Sequence, residues 1–477
     1  MTGAGAALDA ASRGLSVAAI DMDDLAHGTS RWSSKLVHGG LRYLASGDVA
    51  VAFECARERG ILMSTTAPHL VRPLRVVLPL SATVSVGAGR LYRIGISAGD
   101  VLRRAAGTSA TLLPRARRIS AAQTLALAPG LRVNGLRGGN LHWDGQVEDD
   151  ARLVTAIART AAGRGARVVT RCRVLSLTAD GARVRDERTG AEFDLRARAV
   201  INATGVWADQ LVDSVRLRPS RGSHIVLRAE RIGGLSAELT LPVPGEPNRF
   251  VFAIPQANGL VHVGITDEPA LGPVEDVPTP PESDIAFLLD ILGRALTEPL
   301  RRSDVVGAFA GLRPLLDDGT DKTSDVSRRH AIAISPDGIV TVVGGKLTAY
   351  RAMARQAVDA ANGRHQLGAP ASRTDRLPLV GAAARSVLAT IDAPSSVVRR
   401  FGTEAAGIAD LARAEPDLAA PLAPGLETTG AELVWSLRHE GALTVDDLLD
   451  RRTRIGLVPA DRAAALPTAT EILATYA

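Results

Sequence analysis

The chain has 477 residues, 46% hydrophobic and 22% charged, with a formal net charge of +5; that length calls for two or three domains and that composition excludes a disordered chain. No apolar run reaches the roughly 18 residues of a membrane span, and the N-terminal stretch, with Asp9 and Arg13 inside it, does not read as a secretory signal. Two distant cysteines, Cys55 and Cys172, argue for a reducing compartment and against a disulfide frame or thiolate metal site, and an arginine load without a basic tail or aromatic-basic array argues against nucleic acid as a partner.

Residues 4–13 are small and helix-compatible, and Gly14 suits a helix C-cap. Leu15 to Ile20 predicts a short buried strand that ends at Asp21. A helix, a glycine, a strand and then an acid form the second half of a dinucleotide-binding βαβ unit, with Asp21 accepting hydrogen bonds from a ribose hydroxyl. Gly3 stands eighteen residues before Asp21, where the third glycine of that fingerprint belongs. Its first strand and first two glycines are therefore expected upstream of Met1.

Residues 48–66 predict a helix. From Pro68 to Leu80 the pattern turns to strand, and Pro73 and Pro79 restrict it to an edge or a short segment. Residues 87–107 set arginines among apolar residues and predict an amphipathic surface helix, with a membrane-interfacial helix as the alternative. Glu148-Asp149-Asp150 opens a helix over 151–164, where negative charge suits the N-terminus. Strands follow at 166–170, 171–177 and 199–203, the last ending in Asn202-Ala203-Thr204-Gly205, where bare backbone can approach a ligand. Strands at 223–227, 249–255 and 260–266, the last two joined by an Asn258-Gly259 turn, predict a mainly antiparallel region. It closes at Gly311-Leu312-Arg313-Pro314-Leu315 and the polar loop 317–325. Gly338 to Val343 predicts a strand running into Gly344-Gly345-Lys346, and 348–362 a helix.

The densest chemistry is Ser33-Ser34-Lys35-Leu36-Val37-His38-Gly39-Gly40-Leu41-Arg42-Tyr43-Leu44. Its glycine pair lets backbone come close to a flat ligand, and Arg42 offers a fork of donors for phosphate or carboxylate. The only lysines are Lys35, Lys322 and Lys346. Two of them stand beside glycine-rich stretches, in a chain whose default cation is arginine.

The segment 3–44, with Gly28-Thr29-Ser30 and this stretch, and six others resemble, in order along the chain, the FAD-dependent glycerol-3-phosphate dehydrogenases. The others are 147–153, Asn202 to Trp207, Gly222-Ser223-His224-Ile225-Val226, Gly311 to Leu315, Gly344 to Arg351, and the pair Arg438-His439-Glu440 with 447–454. The resemblance implies an α/β chain with a glutathione-reductase-type, Rossmann-like FAD domain interleaved from 1–60, 145–210 and 335–365. It implies an α+β substrate-capping domain with a mainly antiparallel sheet from 61–144 and 211–334, a linker at 366–384, and a helical domain over 385–477. The implied reaction is oxidation of sn-glycerol 3-phosphate to dihydroxyacetone phosphate, with hydride passing from C2 to N5 of FAD and electrons then going to a quinone. The implied location is cytoplasmic, peripheral at the inner face of the membrane, with the choice between monomer and homodimer open.

On the family's pattern, FAD is held by Gly3, Asp21, Thr29, Ser30, Ser34, Lys35, Val174, Thr204, Gly205, Gly345, Lys346, Leu347 and Thr348. Arg42 and Arg313, with Arg328 third, are the candidate phosphate and hydroxyl grips, and Tyr43 faces substrate. Lys346 would steady the reduced flavin's negative charge, and His38 and His224 are the candidate proton acceptors. No metal is called for. Two positions depart from the pattern: Asp21 replaces a longer glutamate, and Arg221 stands where relatives can have lysine. Two other readings remain beside the dehydrogenase. One is a glycerol-3-phosphate oxidase using oxygen; the other is an FAD-less scaffold, given the absent first strand and glycines.

Overall fold

The computed structural model describes residues 1–477 apart from Ser46, Thr83, Pro247, Asn248 and 318–329, with Arg42 and Ala45 described by their backbone. The expected polar loop at 317–325 falls largely outside the described residues.

The chain begins with α1 (Thr2–Ser12), β1 (Ala18–Ile20), β2 (Leu36–Val37), α2 (Leu41–Ala45) and α3 (Val49–Ile61). Next come β3 (Val71–Pro79), α4 (Val86–Ala105), β4 (Arg117–Ile119), α5 (Ala121–Leu127) and β5 (Gly139–Val147). Then α6 (Asp150–Ala162) and β6 (Arg167–Val169) lead to β7 (Cys172–Thr178), β8 (Gly181–Asp186), β9 (Glu192–Arg196) and β10 (Ile201–Asn202). The middle of the chain supplies β11 (Ser220–Arg228), β12 (Glu238–Pro242), β13 (Phe250–Pro255), β14 (Leu260–Gly264), β15 (Glu268–Pro269), α7 (Glu282–Ala295) and β16 (Val305–Arg313). After β17 (Ala331–Ile334), β18 (Val340–Val343) and α8 (Tyr350–His365) come α9 (Arg385–Leu388), α10 (Ser395–Phe401), α11 (Ala405–Ala414), α12 (Gly430–His439) and α13 (Pro459–Tyr476).

The parallel layer consists of two pieces. β1 pairs with β6, and β10 pairs with β18, which also takes β17 antiparallel. Helix α1 packs between α6 and α8 because its residues are small. A Cβ at Gly5 would already lie 3.0 Å from both the Ala354 methyl and the Tyr350 ring. Its one ion pair, Asp9 with Arg13, is buried and extended by Arg13 to Asp359 at 2.6 Å.

A ten-stranded mixed sheet fills the middle, in the order β15-β11-β14-β13-β12-β3-β5-β2, with β16 on β11 and β4 on β5. Helix α7 covers β11 to β14 through Ile285, Leu288, Ile291 and Leu292. Here β3 overturns the proline argument: it is nine residues long and lies between β12 and β5. It pairs with β5 along its whole length, while β12 meets it only at Val76 and Val77. Pro73 therefore sits beyond the reach of the second ladder and Pro79 at the strand's end, so neither removes a bond that a neighbour needs.

Helices α10 to α13 form their own core around Phe401, Ile408, Leu433, Leu448 and Ile472. Among the described residues no helix is long and apolar enough to cross a membrane.

Candidate active site

The stretch from Ser34 to Gly40 crosses the junction of the parallel layer and the large sheet. Strand β2 is laid on β5, Leu36 opposite Gln146 and Val37 opposite Gly145. The ladder continues in side-chain form, for the amide of Gly39 donates to Asp144 Oδ1 at 2.9 Å. Gly40 then turns the chain at φ +79°, and a Cβ there would lie 2.9 Å from the Ala52 Cα of α3. Only glycine allows that approach. The turn delivers α2, which carries Arg42 and Tyr43, against α3.

At one end of the stretch, Ser34 Oγ lies 2.9 Å from His224 Nε2 on β11. The His224 ring is fully buried and stacked on Phe309, with ring centroids 4.7 Å apart. Burial, reinforced by the nearby Lys35 and Arg313 charges, holds this imidazole well below its ordinary range. Arg313, the last residue of β16, donates to Ser220 Oγ at 3.0 Å, to Asp267 at 3.1 Å and to the Thr266 carbonyl at 3.0 Å. Thr29 Oγ1 donates to the carbonyl of Leu312 at 2.7 Å, which ties the 29–31 turn to the residue before Arg313.

At the other end stand His38, Tyr43 and Lys346. The Lys346 ammonium lies 3.6 Å from the centroid of the Tyr43 ring, a cation–π contact. The two line a cleft of about 200 Å³ with Cys55, His330 and Gly345. Burial, then the charges of Lys346 and Arg59, hold His38 well below the ordinary histidine value. Both histidines are thus held toward the neutral form.

A third group gathers at the start of α1. A Cβ at Gly3 would sit 3.5 Å from the Ala203 Cβ, which places the Asn202 to Gly205 turn against the helix N-terminus. Thr204 Oγ1 donates to Asn202 Oδ1 at 2.7 Å, and Gly205 adopts φ +66°. Ser30 Oγ accepts from the Met1 amine at 3.0 Å. Asp21 follows β1, and its carbonyl accepts the Cys172 amide at 2.9 Å. Val174 follows two residues further along β7.

This arrangement suits a long, flat ligand with an anionic middle. The unpaired N–H groups of the first turn of α1 favour phosphate oxygens. Gly344 and Gly345, at φ +74° and +77°, present bare backbone. Beside them the buried Thr348 hydroxyl has no hydrogen-bond partner among the described residues. A ring system with polar edges would satisfy it.

Comparison with known proteins agrees. Residues 1–351 match the family model described as FAD dependent oxidoreductase, and residues 372–477 match the C-terminal domain of alpha-glycerophosphate oxidase. Glycerol-3-phosphate dehydrogenase 1 of Mycobacterium tuberculosis is 51% identical over 480 residues, covering 99% of this chain and 93% of the relative. The chain belongs to the FAD-dependent glycerol-3-phosphate dehydrogenase family. A probable mitochondrial glycerol-3-phosphate dehydrogenase of Dictyostelium discoideum is 32% identical, covering 99% of this chain and 79% of the relative. The glycerol-3-phosphate dehydrogenase of Bacillus halodurans complexed with FAD superposes with a TM-score of 0.75 at 26% identity, covering 99% and 89% of the two chains. The cofactor of this dehydrogenase-family chain is FAD, and the residues above fit it.

In this dehydrogenase-family chain, Lys35 is tied into the protein. Its ammonium is buried and donates to Asp150 Oδ2 at 2.9 Å and to the Arg31 carbonyl at 2.7 Å. A cation out of water is held where its acceptors are, and Asp150 is the acceptor. The Ser34 hydroxyl is engaged by His224, so it links the two layers. Arg328 lies outside the described residues, as does the Arg42 side chain. Leu347 packs into the core beside Val37 and Tyr350, leaving its backbone to the loop. The sequence reading missed Arg59 and Asp144, the buried pair behind Gly39. Asp150 was visible only as negative charge at a helix start.

Proposed function

We propose that this chain oxidises sn-glycerol 3-phosphate at C2 to dihydroxyacetone phosphate and passes the electrons to a quinone at a membrane surface. The observation that carries the reading is the convergence of His38, Tyr43 and Lys346 at one end of a glycine-bared stretch with His224 and Arg313 at the other, in a chain 51% identical to a glycerol-3-phosphate dehydrogenase. When bound, FAD supplies the acceptor for the C2 hydride. The protein's own work is to fix the substrate and to move one proton. Arg313, with Arg42 and Arg328, grips the phosphate and the hydroxyls through charge-assisted bonds. The C2 hydroxyl proton goes to a neutral imidazole, His38 or His224, both kept deprotonated by burial. Lys346, steadied over Tyr43, offers a positive charge where negative charge grows. Gly3, Asp21, Ser30, Val174, Thr204 and Gly205 hold the adenosine and diphosphate end.

The membrane part rests on α4. Its outer face exposes Leu91 (70%), Ile94 (67%) and Val101 (66%), with exposed Arg90, Arg93 and Arg104 beside them. Apolar side chains rimmed by arginine suit a helix lying in an anionic lipid surface. The test is anaerobic addition of glycerol 3-phosphate to the yellow holoenzyme. Bleaching, followed by recovery on adding a quinone with little peroxide, is expected. Recovery by oxygen with stoichiometric peroxide would make the chain an oxidase. A colourless protein that takes up no FAD, or a flavin that does not bleach, overturns the proposal. Vesicles with anionic lipid should bind the wild type and not L91S/I94S/V101S.

A further inference from the structure

The C-terminal helical domain has no role in the chemistry above, yet it sends its most deeply buried charges into the FAD domain. Arg452, fully buried, donates to both oxygens of Asp24, at 2.7 and 2.9 Å, and to the Glu440 carbonyl at 2.8 Å. Arg451 donates to Asp24 at 2.8 Å and also to Asp447. Asp447 in turn accepts from Arg171 Nη2 at 2.6 Å, while Arg171 Nη1 reaches Asp23 at 3.2 Å and its amide donates to the Asp23 carbonyl at 2.9 Å. The whole turn after β1 is thus gripped: Asp23 through Arg171, Asp24 through two adjacent arginines.

Asp21 opens that turn and is treated differently. Among the described residues its carboxylate accepts only the Asp23 amide, at 3.2 Å, and it is exposed. Asp23 and Asp24 are consumed from the C-terminal side, while the Asp21 carboxylate keeps that one bond and stays accessible. A bidentate, buried carboxylate–guanidinium pair admits little angular freedom, so the direction of the 21–24 turn is set from residues 447–452.

We propose that the C-terminal domain is a clamp for the cofactor: the segment Asp447 to Arg452, acting through Asp24, Asp23 and Arg171, positions Asp21 for the ribose of FAD, so that FAD binding and seating of this domain are coupled. The proposal rests on the reading of Asp21 as the ribose acceptor. Coupling of this kind is reciprocal. FAD should tighten the C-terminal domain, and loosening the clamp should weaken FAD.

The test uses the full-length protein. Hydrogen exchange of the apoprotein with and without added FAD should show slower exchange over 447–454 as well as over 21–24. Titration of FAD into apo R171Q should show a dissociation constant raised about tenfold, within the usual range of coupling between sites. Arg171 is chosen because it is part-exposed, whereas removal of Arg452 strands a buried carboxylate and threatens folding. FAD-induced protection confined to the FAD domain, or an R171Q affinity within twofold of wild type, overturns the clamp. D21N separates the two layers of the argument. If D21N leaves FAD affinity unchanged, the ribose reading fails and the clamp with it; if D21N weakens FAD and R171Q does not, the clamp alone fails.

Discussion

Arg59 Nη1 donates to Asp144 Oδ1 at 2.5 Å, and the same oxygen accepts the amide of Gly39 at 2.9 Å. One carboxylate, buried between α3 and β5, therefore holds both a helix side chain and the backbone of the candidate active loop. Gly39 is glycine for the same reason, because a Cβ there would overlap the Arg59 guanidinium. Removing Arg59 leaves Asp144 buried without its counter-charge, which costs about 3–5 kcal/mol. R59M should unfold at a correspondingly lower denaturant concentration. D144N keeps an acceptor for the Gly39 amide but leaves the buried Arg59 guanidinium without its counter-charge, so it should also lose stability, and its kcat should fall about tenfold as His38 and Tyr43 lose their fixed placement. Unchanged kcat in flavin-loaded D144N would show that the pair serves stability alone.

Glu238, on β12 beside Asp144, carries a second consequence. Burial first, then the Asp144 charge, pushes its carboxyl up to about 8 from an ordinary value of 4.5, against the pull of the Thr240 hydroxyl. Because the folded value is the higher one, the folded state holds this proton more tightly. The associated stability is complete below the unfolded value, declines as pH rises between about 4.5 and 8, and is gone above the folded value. E238Q removes the titration. Denaturation of wild type and E238Q across pH 5 to 9 should show curves that converge at the acid end and separate by a few kcal/mol, on the order given by 1.36 kcal/mol per unit, at the basic end, with E238Q the more stable there. Parallel curves would place Glu238 in water.

Several elements were legible because their signals are local. The Asn258-Gly259 turn joins β13 to β14, with Gly259 at φ +73°. The small residues of α1 and the arginine-flanked stripe of α4 also read directly. What was not legible depends on partners far along the chain. Lys35 finds Asp150 at a separation of 115 residues and Arg59 finds Asp144 at 85, and neither separation leaves a periodic trace. The placement of β3 failed for a related reason. Its prolines restrict it only where a second neighbour reaches, and the reach of β12 is a property of the sheet. The motif at 33–44 stands out by composition alone, whereas the partners of Ser34, Lys35 and Gly39 within it are set by what lies on either side.

The pH dependence of flavin reduction bears on the proton acceptor. His38 and His224 are both held well below the usual histidine value by burial and neighbouring cations. An acceptor must be deprotonated, so activity is lost only when pH falls through the depressed value. The acid limb of kcat/KM for glycerol 3-phosphate should therefore lie well below 6.5, with little change between pH 6.5 and 8. Substitution of the true acceptor, as H38Q or H224Q, should reduce the rate of flavin bleaching by 10²–10⁴-fold, and the other variant should reduce it far less. A limb centred at or above the ordinary histidine value would exclude both imidazoles in the environments described.

Lys35 and Asp150 form another buried pair, and they decide between two roles for the lysine. Asp150 Oδ2 accepts from Lys35 Nζ at 2.9 Å, from Ser33 Oγ at 2.6 Å and from the Ser33 amide at 3.0 Å. If the lysine is structural, K35M strands a buried carboxylate and costs about 3–5 kcal/mol, while D150N strands the ammonium. In K35M/D150N neither charge remains, so the double variant should be more stable than the sum of the two single losses requires. Denaturation of the four proteins measures that coupling, and FAD content per folded molecule is read on the same samples. A folded K35M should keep its flavin, since the ammonium points into the protein. Loss of FAD from K35M with no loss of stability would instead return Lys35 to the cofactor.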